Sequence, residues 1–82
     1  MTGAVELIGC LLRSPNRLRV LAALADEPLG RSALGAETGI HRSTLSRALA
    51  ELRRRELIRH AGDRYAVTPL GSTIAARLAE AA

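Results

Sequence analysis

Residues 31–55 read RSALGAETGIHRSTLSRALAELRRR, and their spacing predicts two helices joined by a short turn. The first helix spans about residues 31–38 and contributes Leu34 to the core. Gly39 is suited to end it, because glycine adopts the left-handed conformation of a C-terminal cap at little cost. The second helix then runs over about residues 41–55.

The second helix has two different faces. An advance of 100° per residue places Leu45, Leu49 and Leu52 on one face with Ala48, which we expect to pack on the core. The opposite face combines short side chains with arginines, and Arg53 and Ser46 lie on its flank. We expect this exposed face to contain Ser43, Arg47, Ala50 and Arg54.

Start signals mark two further helices. Ser14-Pro15 opens a helix to about residue 25, and Thr68-Pro69 opens a last helix over about residues 69–81, because proline fits the first helical position. An apolar segment at residues 4–13 predicts another helix at the start of the chain. Its candidate contact residues for a partner subunit, together with those of the last helix, are Val5, Ile8, Leu12, Ile74 and Leu78.

Residues 57–68 predict a β-hairpin, with a tight turn at Ala61-Gly62-Asp63 and a returning strand over about residues 64–68. The expected fold class is therefore mostly α with a small β-hairpin wing. We expect residues 1–82 to form one winged helix-turn-helix domain, with the helix-turn-helix at about 31–55, the wing at about 57–68 and a C-terminal helix at about 69–81.

The positive charge is concentrated in one segment. The chain has twelve arginines, no lysine and a net charge of +4. Residues 41–64 hold seven arginines and three acids, whereas the remaining residues hold five of each. A basic patch on a neutral body is typical of a nucleic-acid binder.

Other classes of protein find less support. Cys10, His41 and His60 show no metal-ligand spacing, so neither a metal site nor a cofactor is expected. There is no glycine-rich phosphate loop and no catalytic constellation, so an enzyme is not predicted. No stretch approaches the ~20 apolar residues of a membrane span. We expect a cytoplasmic protein.

The pattern favours binding to double-stranded DNA. The helix over residues 41–55 would lie in the major groove, where serine and alanine permit close approach and arginine donates to guanine or phosphate. Arg53 and Arg54 are expected to have no acidic partner in the helix. The wing would reach the backbone or the minor groove through Arg59 and Arg64, near His60.

The strings SPNRLRVLAAL, RSALGAETGIHRSTLSRALAELRRRELI and RYAVTPLG together resemble winged-helix regulators of the ArsR/MarR-like group. The likeness is greatest to the N-terminal DNA-binding domain of archaeal regulators and covers about residues 14–75. It implies a transcriptional regulator that binds a pseudo-palindromic operator as a homodimer. The residues that it assigns to DNA contact are Arg42, Ser43, Thr44, Ser46, Arg47, Arg59 and Arg64.

The chain departs from the family pattern at Glu56, where the family usually has a small residue, often glycine. An alternative function is a winged-helix protein-interaction module in a larger complex, with the apolar helix over residues 4–13 as its partner surface. We expect the homodimer to form through the first helix of the chain, over residues 4–13, and the last, over about residues 69–81. The same apolar residues would also suit an ordinary core.

Overall fold

A computed structural model gives the fold and describes residues 3, 6, 8, 9, 11 and 13–81. The fold is a winged helix-turn-helix, as predicted. Its elements are helices α1 (Pro15–Asp26), α2 (Arg31–Thr38) and α3 (Arg42–Arg54), strands β1 (Ile58–Ala61) and β2 (Arg64–Val67), and helix α4 (Pro69–Ala81). Of the predicted helix over residues 4–13, the described residues Glu6, Ile8, Gly9 and Leu11 are helical, whereas Arg13 lies in a turn.

Hydroxyl caps begin α1 and α4, as the two proline signals predicted. The Ser14 Oγ accepts from the backbone nitrogen of Arg17 at 3.4 Å. The Thr68 Oγ1 accepts from the nitrogen of Gly71 at 3.0 Å and donates to the carbonyl of Glu56 at 2.6 Å. Thr68 thus caps α4 and is not part of β2, which ends one residue earlier than predicted.

The turn between α2 and α3 follows the predicted pattern. Gly39 has a φ of +70° and its nitrogen donates to the carbonyl of Gly35 at 2.9 Å. Ile40 is buried beneath the turn. His41 caps α3, since its Nδ1 accepts from the nitrogen of Ser43 at 3.3 Å. Helix α3 therefore begins and ends one residue inside the predicted bounds.

Strands β1 and β2 are antiparallel, with Ala61 opposite Arg64. The turn is Gly62-Asp63, with a φ of +67° at Gly62, so Ala61 belongs to β1 and not to the predicted three-residue turn. Backbone hydrogen bonds also join Tyr65 to Leu29 in both directions, at 2.8 and 3.1 Å. Strand β2 thus lies between β1 and the segment that precedes α2.

The core confirms most of the predicted inward faces. Leu21, Leu24 and Leu34 are buried, and the whole predicted inner face of α3 is buried with them. Val20, which the sequence pattern did not single out, is fully buried, whereas Leu18 is only partly buried.

The predicted dimer surface needs one correction. Ile74 is only 1% exposed, so it belongs to the core of this chain and not to a surface for a second copy. Ile8 and Leu78 are partly buried against the core. Val5 and Leu12 lie outside the described residues. The homodimer remains a prediction.

In the described part of the chain, no helix is long and apolar enough to cross a membrane. Nor do three or more His, Cys, Asp or Glu side chains gather there in an arrangement that would hold a metal ion.

Candidate nucleic-acid interface

Helix α3 carries the main candidate surface. Its leucines are buried on the core side, and the residues expected on the opposite face, Ser43, Arg47, Ala50 and Arg54, are all exposed. Arg42 and Arg53 are exposed as well, whereas Thr44 and Ser46 are half-buried. The sequence pattern therefore predicted which side of this helix faces solvent, and that side is basic with short side chains between the arginines.

The N-terminal turn of α3 combines a cap with positive charge. The His41 ring accepts from the Ser43 nitrogen, and its Nδ1 also lies 3.1 Å from the Ser43 Oγ. Arg42 is exposed beside them. The N-terminus of a helix carries a partial positive charge, so this turn favours an anion.

The three arginines at the end of α3 have different surroundings. Arg55 Nε donates to Glu51 Oε1 at 2.9 Å. Arg54 Nη1 lies 3.7 Å from Glu51 Oε2, so the expectation that Arg54 has no acidic partner is wrong. The Arg54 side chain is nevertheless 79% exposed, and a loose exposed pair contributes little. Arg53 is exposed and makes no ion pair with any residue of the described part of the chain.

The wing places its two arginines on one face. Arg59 is opposite Ala66 and Arg64 is opposite Ala61, so the two arginines are diagonal neighbours on the hairpin. His60 projects from the other face, where its ring centroid lies 4.5 Å from that of Tyr65. The predicted group of Arg59, Arg64 and His60 is therefore divided, with both arginines exposed together.

Sequence reasoning missed Arg31, the first residue of α2. Its Nη1 donates to Ser46 Oγ on α3, and its Nη2 donates to the Tyr65 hydroxyl on β2 at 3.3 Å. These partners are 15 and 34 residues away in sequence, so no local pattern indicates the contacts. Ser46 consequently already has a hydrogen-bonding partner within the protein.

An open groove of about 520 Å³ joins the end of α3 to the wing. Arg53 and Arg59 both line it, although they are six positions apart in sequence. Leu70, which is 40% exposed, lines it from α4. A second groove of about 400 Å³ lies at the other end of α3, where Arg31 and Arg42 line it. Basic side chains thus border α3 at both ends.

Comparison with protein families gives a match over nearly the whole chain. Residues 5–82 match the family model described as the HVO_A0261 N-terminal domain. A comparison with curated proteins finds no match.

Several solved structures are similar to this one. A MarR-family transcriptional regulator from Silicibacter pomeroyi is 34% identical, with a TM-score of 0.76, over 82% of this chain and 50% of its own. A predicted DNA-binding transcriptional regulator from E. coli is 28% identical, with a TM-score of 0.71, over 95% and 92%. CalO1, a methyltransferase in calicheamicin biosynthesis, is 29% identical, with a TM-score of 0.62, over 83% and 20%. This chain spans about half the length of the first of these.

Proposed function

The chain belongs to the family described as the HVO_A0261 N-terminal domain, and we propose that it binds double-stranded DNA sequence-specifically in a transcriptional regulator. The observation that carries the proposal is the location of the charge. The whole net charge of +4 falls in residues 41–64. Six of the seven arginines in that segment are exposed, four of them on α3 and two on one face of the wing. The similar regulators from Silicibacter pomeroyi and E. coli support it.

Helix α3 would enter the major groove, whose width of roughly 12 Å admits an α-helix. Ser43 and Ala50 are short enough to let the helix axis approach the groove floor. Arg47 lies between them on the exposed face and would donate to the acceptor edge of a guanine. Arg42, Thr44 and the N-terminal turn would meet a phosphate.

The remaining arginines would contact the DNA backbone on one side of α3. Arg53 borders the groove that leads from α3 to the wing, and Arg54 is the most exposed side chain of the Glu51 ion pairs. Arg59 and Arg64 share a hairpin face and would reach the sugar-phosphate edge or the minor groove.

A homodimer would suit such a small module, because one domain buries only about 600–1,000 Å² on DNA. We place its contact surface on the helical segment before α1, which contains Ile8, and on α4, which contains Leu78. Both side chains are partly buried. An apolar groove of about 580 Å³ between α1 and α4, lined in part by Ala22 and Ala76, adjoins Leu78. A DNA-binding regulator of this kind would act in the cytoplasm and would not itself be an enzyme.

One observation favours a second candidate, a protein-interaction module in a larger complex. The likeness to CalO1 covers 20% of a longer chain that is described as a methyltransferase. A domain of this fold can therefore be a small part of a protein with another described activity. The composition of α3 speaks against it, because a protein-binding face is expected to present apolar or aromatic anchors. The described part of that helix exposes arginine, serine and alanine instead.

The deciding experiment is fluorescence anisotropy with a labelled duplex of random sequence over a salt series. Each neutralised phosphate contributes about −0.9 to the slope of log affinity against log salt. If four to seven arginines of residues 41–64 meet phosphates, the slope should be roughly −4 to −6. An absence of binding at low salt would overturn the proposal and favour the protein-interaction module.

A further inference from the structure

Arg31 connects three elements of the fold through its side chain. It lies at the start of α2, donates through Nη1 to Ser46 on α3, and donates through Nη2 to Tyr65 on β2. A planar guanidinium has five donors in a fixed fork, so one side chain can hold two acceptors at a defined separation. Lysine, with a single nitrogen on a flexible stem, would not reproduce that geometry.

Both acceptors are well placed to transmit position. Tyr65 is buried, its backbone pairs with Leu29, and its ring lies against His60 on the neighbouring strand. Ser46 lies one residue after the buried Leu45 and one before the exposed Arg47. A hydrogen bond to the tyrosine hydroxyl therefore restrains the position of the hairpin, and a hydrogen bond to the serine restrains the middle of α3.

We infer that Arg31 is a positioning residue that fixes the wing relative to helix α3 through Tyr65 and Ser46. The inference rests on the proposed function, since the two surfaces it aligns are the two proposed DNA contacts. It also reassigns Ser46: the hydroxyl orients Arg31 and does not read a base. Simultaneous binding by α3 and the wing costs less free energy when their relative orientation is set in advance.

The competing role for Arg31 is a direct phosphate contact, because the residue is exposed and cationic. The two roles differ in what removal of the acceptors does. A positioning residue loses its effect once Ser46 and Tyr65 no longer offer hydroxyls. A phosphate contact keeps its effect in either background and contributes about 0.9 to the salt slope.

The test measures anisotropy with the random duplex for Arg31→Gln in the wild-type chain and in the Ser46→Ala, Tyr65→Phe chain. We expect a loss of roughly tenfold in the wild-type background, a size that two hydrogen bonds can support. In the second background we expect less than about a twofold further loss, with the salt slope unchanged. Arg77→Gln, on the exposed side of α4, controls for the loss of one charge. An equal loss in both backgrounds with a shallower slope would overturn the inference.

A second measurement does not depend on DNA. Residual dipolar couplings of backbone amides report whether α3 and the hairpin share one orientation. In the wild-type chain one alignment tensor should fit both elements, and in Arg31→Gln they should require two tensors while the helical circular dichroism is retained. A single tensor in both proteins would overturn the inference even if the wild type binds DNA. If the wild type fails to bind DNA, the proposed function fails and this measurement still decides the role of Arg31.

Discussion

The backbone nitrogen of Leu57 donates to the carbonyl oxygen of Leu52 at 3.0 Å, and this bond closes the end of helix α3. Inside it, the nitrogen of Glu56 donates to the carbonyl of Arg53 at 2.9 Å. Together they form a Schellman motif, whose penultimate residue is usually glycine in the left-handed conformation. Here Glu56 holds that position with a φ of +61°. The departure noted in the sequence therefore falls on the residue that turns the chain into the wing.

We expect Glu56→Gly to stabilise the protein by about 0.5–1 kcal/mol. The left-handed conformation costs an L-residue about 1–2 kcal/mol, and the greater freedom of glycine in the unfolded chain offsets part of the gain. For a domain of this size the melting temperature should rise by roughly 2–8 °C. Urea and thermal unfolding, followed by circular dichroism, would measure the change.

Glu56→Ala is the matched control, because it removes the same charge and keeps the Cβ atom. We expect it to recover little of the stability gained by glycine. Equal stabilisation by alanine and glycine would contradict the conformational explanation and assign the effect to charge.

The parts of the fold that could be predicted from sequence are those set by local chemistry. Leu45, Leu49 and Leu52 recur at helical spacing, so the buried face of α3 follows from periodicity. The Ser14 and Thr68 caps follow from the proline that succeeds each of them. The cap at Gly39 follows from its residue type, because few other residues adopt a positive φ readily.

The parts that could not be predicted depend on contacts between distant segments. The guanidinium of Arg31 meets its partners only after α2, α3 and β2 have packed together. Ile74 is apolar whether it faces the core or a second subunit, so its sequence context leaves both open. The face on which His60 lies depends on the register of the hairpin. A turn predicted one residue too long changes which residues are opposite each other, and so which side chains share a face.

We expect Gly71→Ala to destabilise the protein by more than about 2 kcal/mol, in the upper range for overpacking. A Cβ atom at Gly71 would lie 1.9 Å from the carbonyl oxygen of Leu57 and 2.9 Å from its carbon. That neighbour is backbone and also accepts from the nitrogen of Thr68, so it cannot move aside freely. Denaturant unfolding would measure the loss.

The comparison for Gly71 is Gly35→Ala in the interior of α2. There the new Cβ atom would meet Leu45 Cδ2 at 3.9 Å, an ordinary contact. Alanine should then stabilise the protein by about 0.5–1 kcal/mol through helix propensity. If both substitutions destabilised the protein to the same extent, close packing of α4 on Leu57 would not explain the first result.

Arg53 and Arg55 should respond differently to substitution by glutamine. Arg53 is free of ion pairs within the described residues, and we expect Arg53→Gln to make the salt slope on random duplex shallower by about 0.9. Arg55 is held by Glu51 at 2.9 Å and is one-third exposed, so Arg55→Gln should leave the slope unchanged. Its effect on stability should be only about 0.3–0.5 kcal/mol, as for other helical pairs. If Arg53→Gln and Arg55→Gln changed the salt slope equally, the ion pair with Glu51 would not prevent Arg55 from contacting DNA.

Arg47→Ala should weaken binding to a selected site more than binding to random duplex. A site would first be obtained by repeated selection from a random library with the wild-type protein. Arg47 lies on the exposed face of α3 between Ser43 and Ala50, where a bidentate contact to guanine is worth about 1–3 kcal/mol. The selected site should therefore lose roughly tenfold or more in affinity, with relaxed preference at one base pair.

Arg19→Ala, on the exposed side of α1, is the control for the loss of one positive charge. It should reduce binding to both duplexes slightly and equally. Arg47→Ala could instead reduce affinity for both duplexes equally, and by more than Arg19→Ala does. That result would identify Arg47 as a phosphate contact, because backbone contacts carry no direct sequence information. Sequence recognition would then have to come from the first turn of α3 or from the wing, and selection with the Arg42→Ala and Arg64→Ala variants would separate those two.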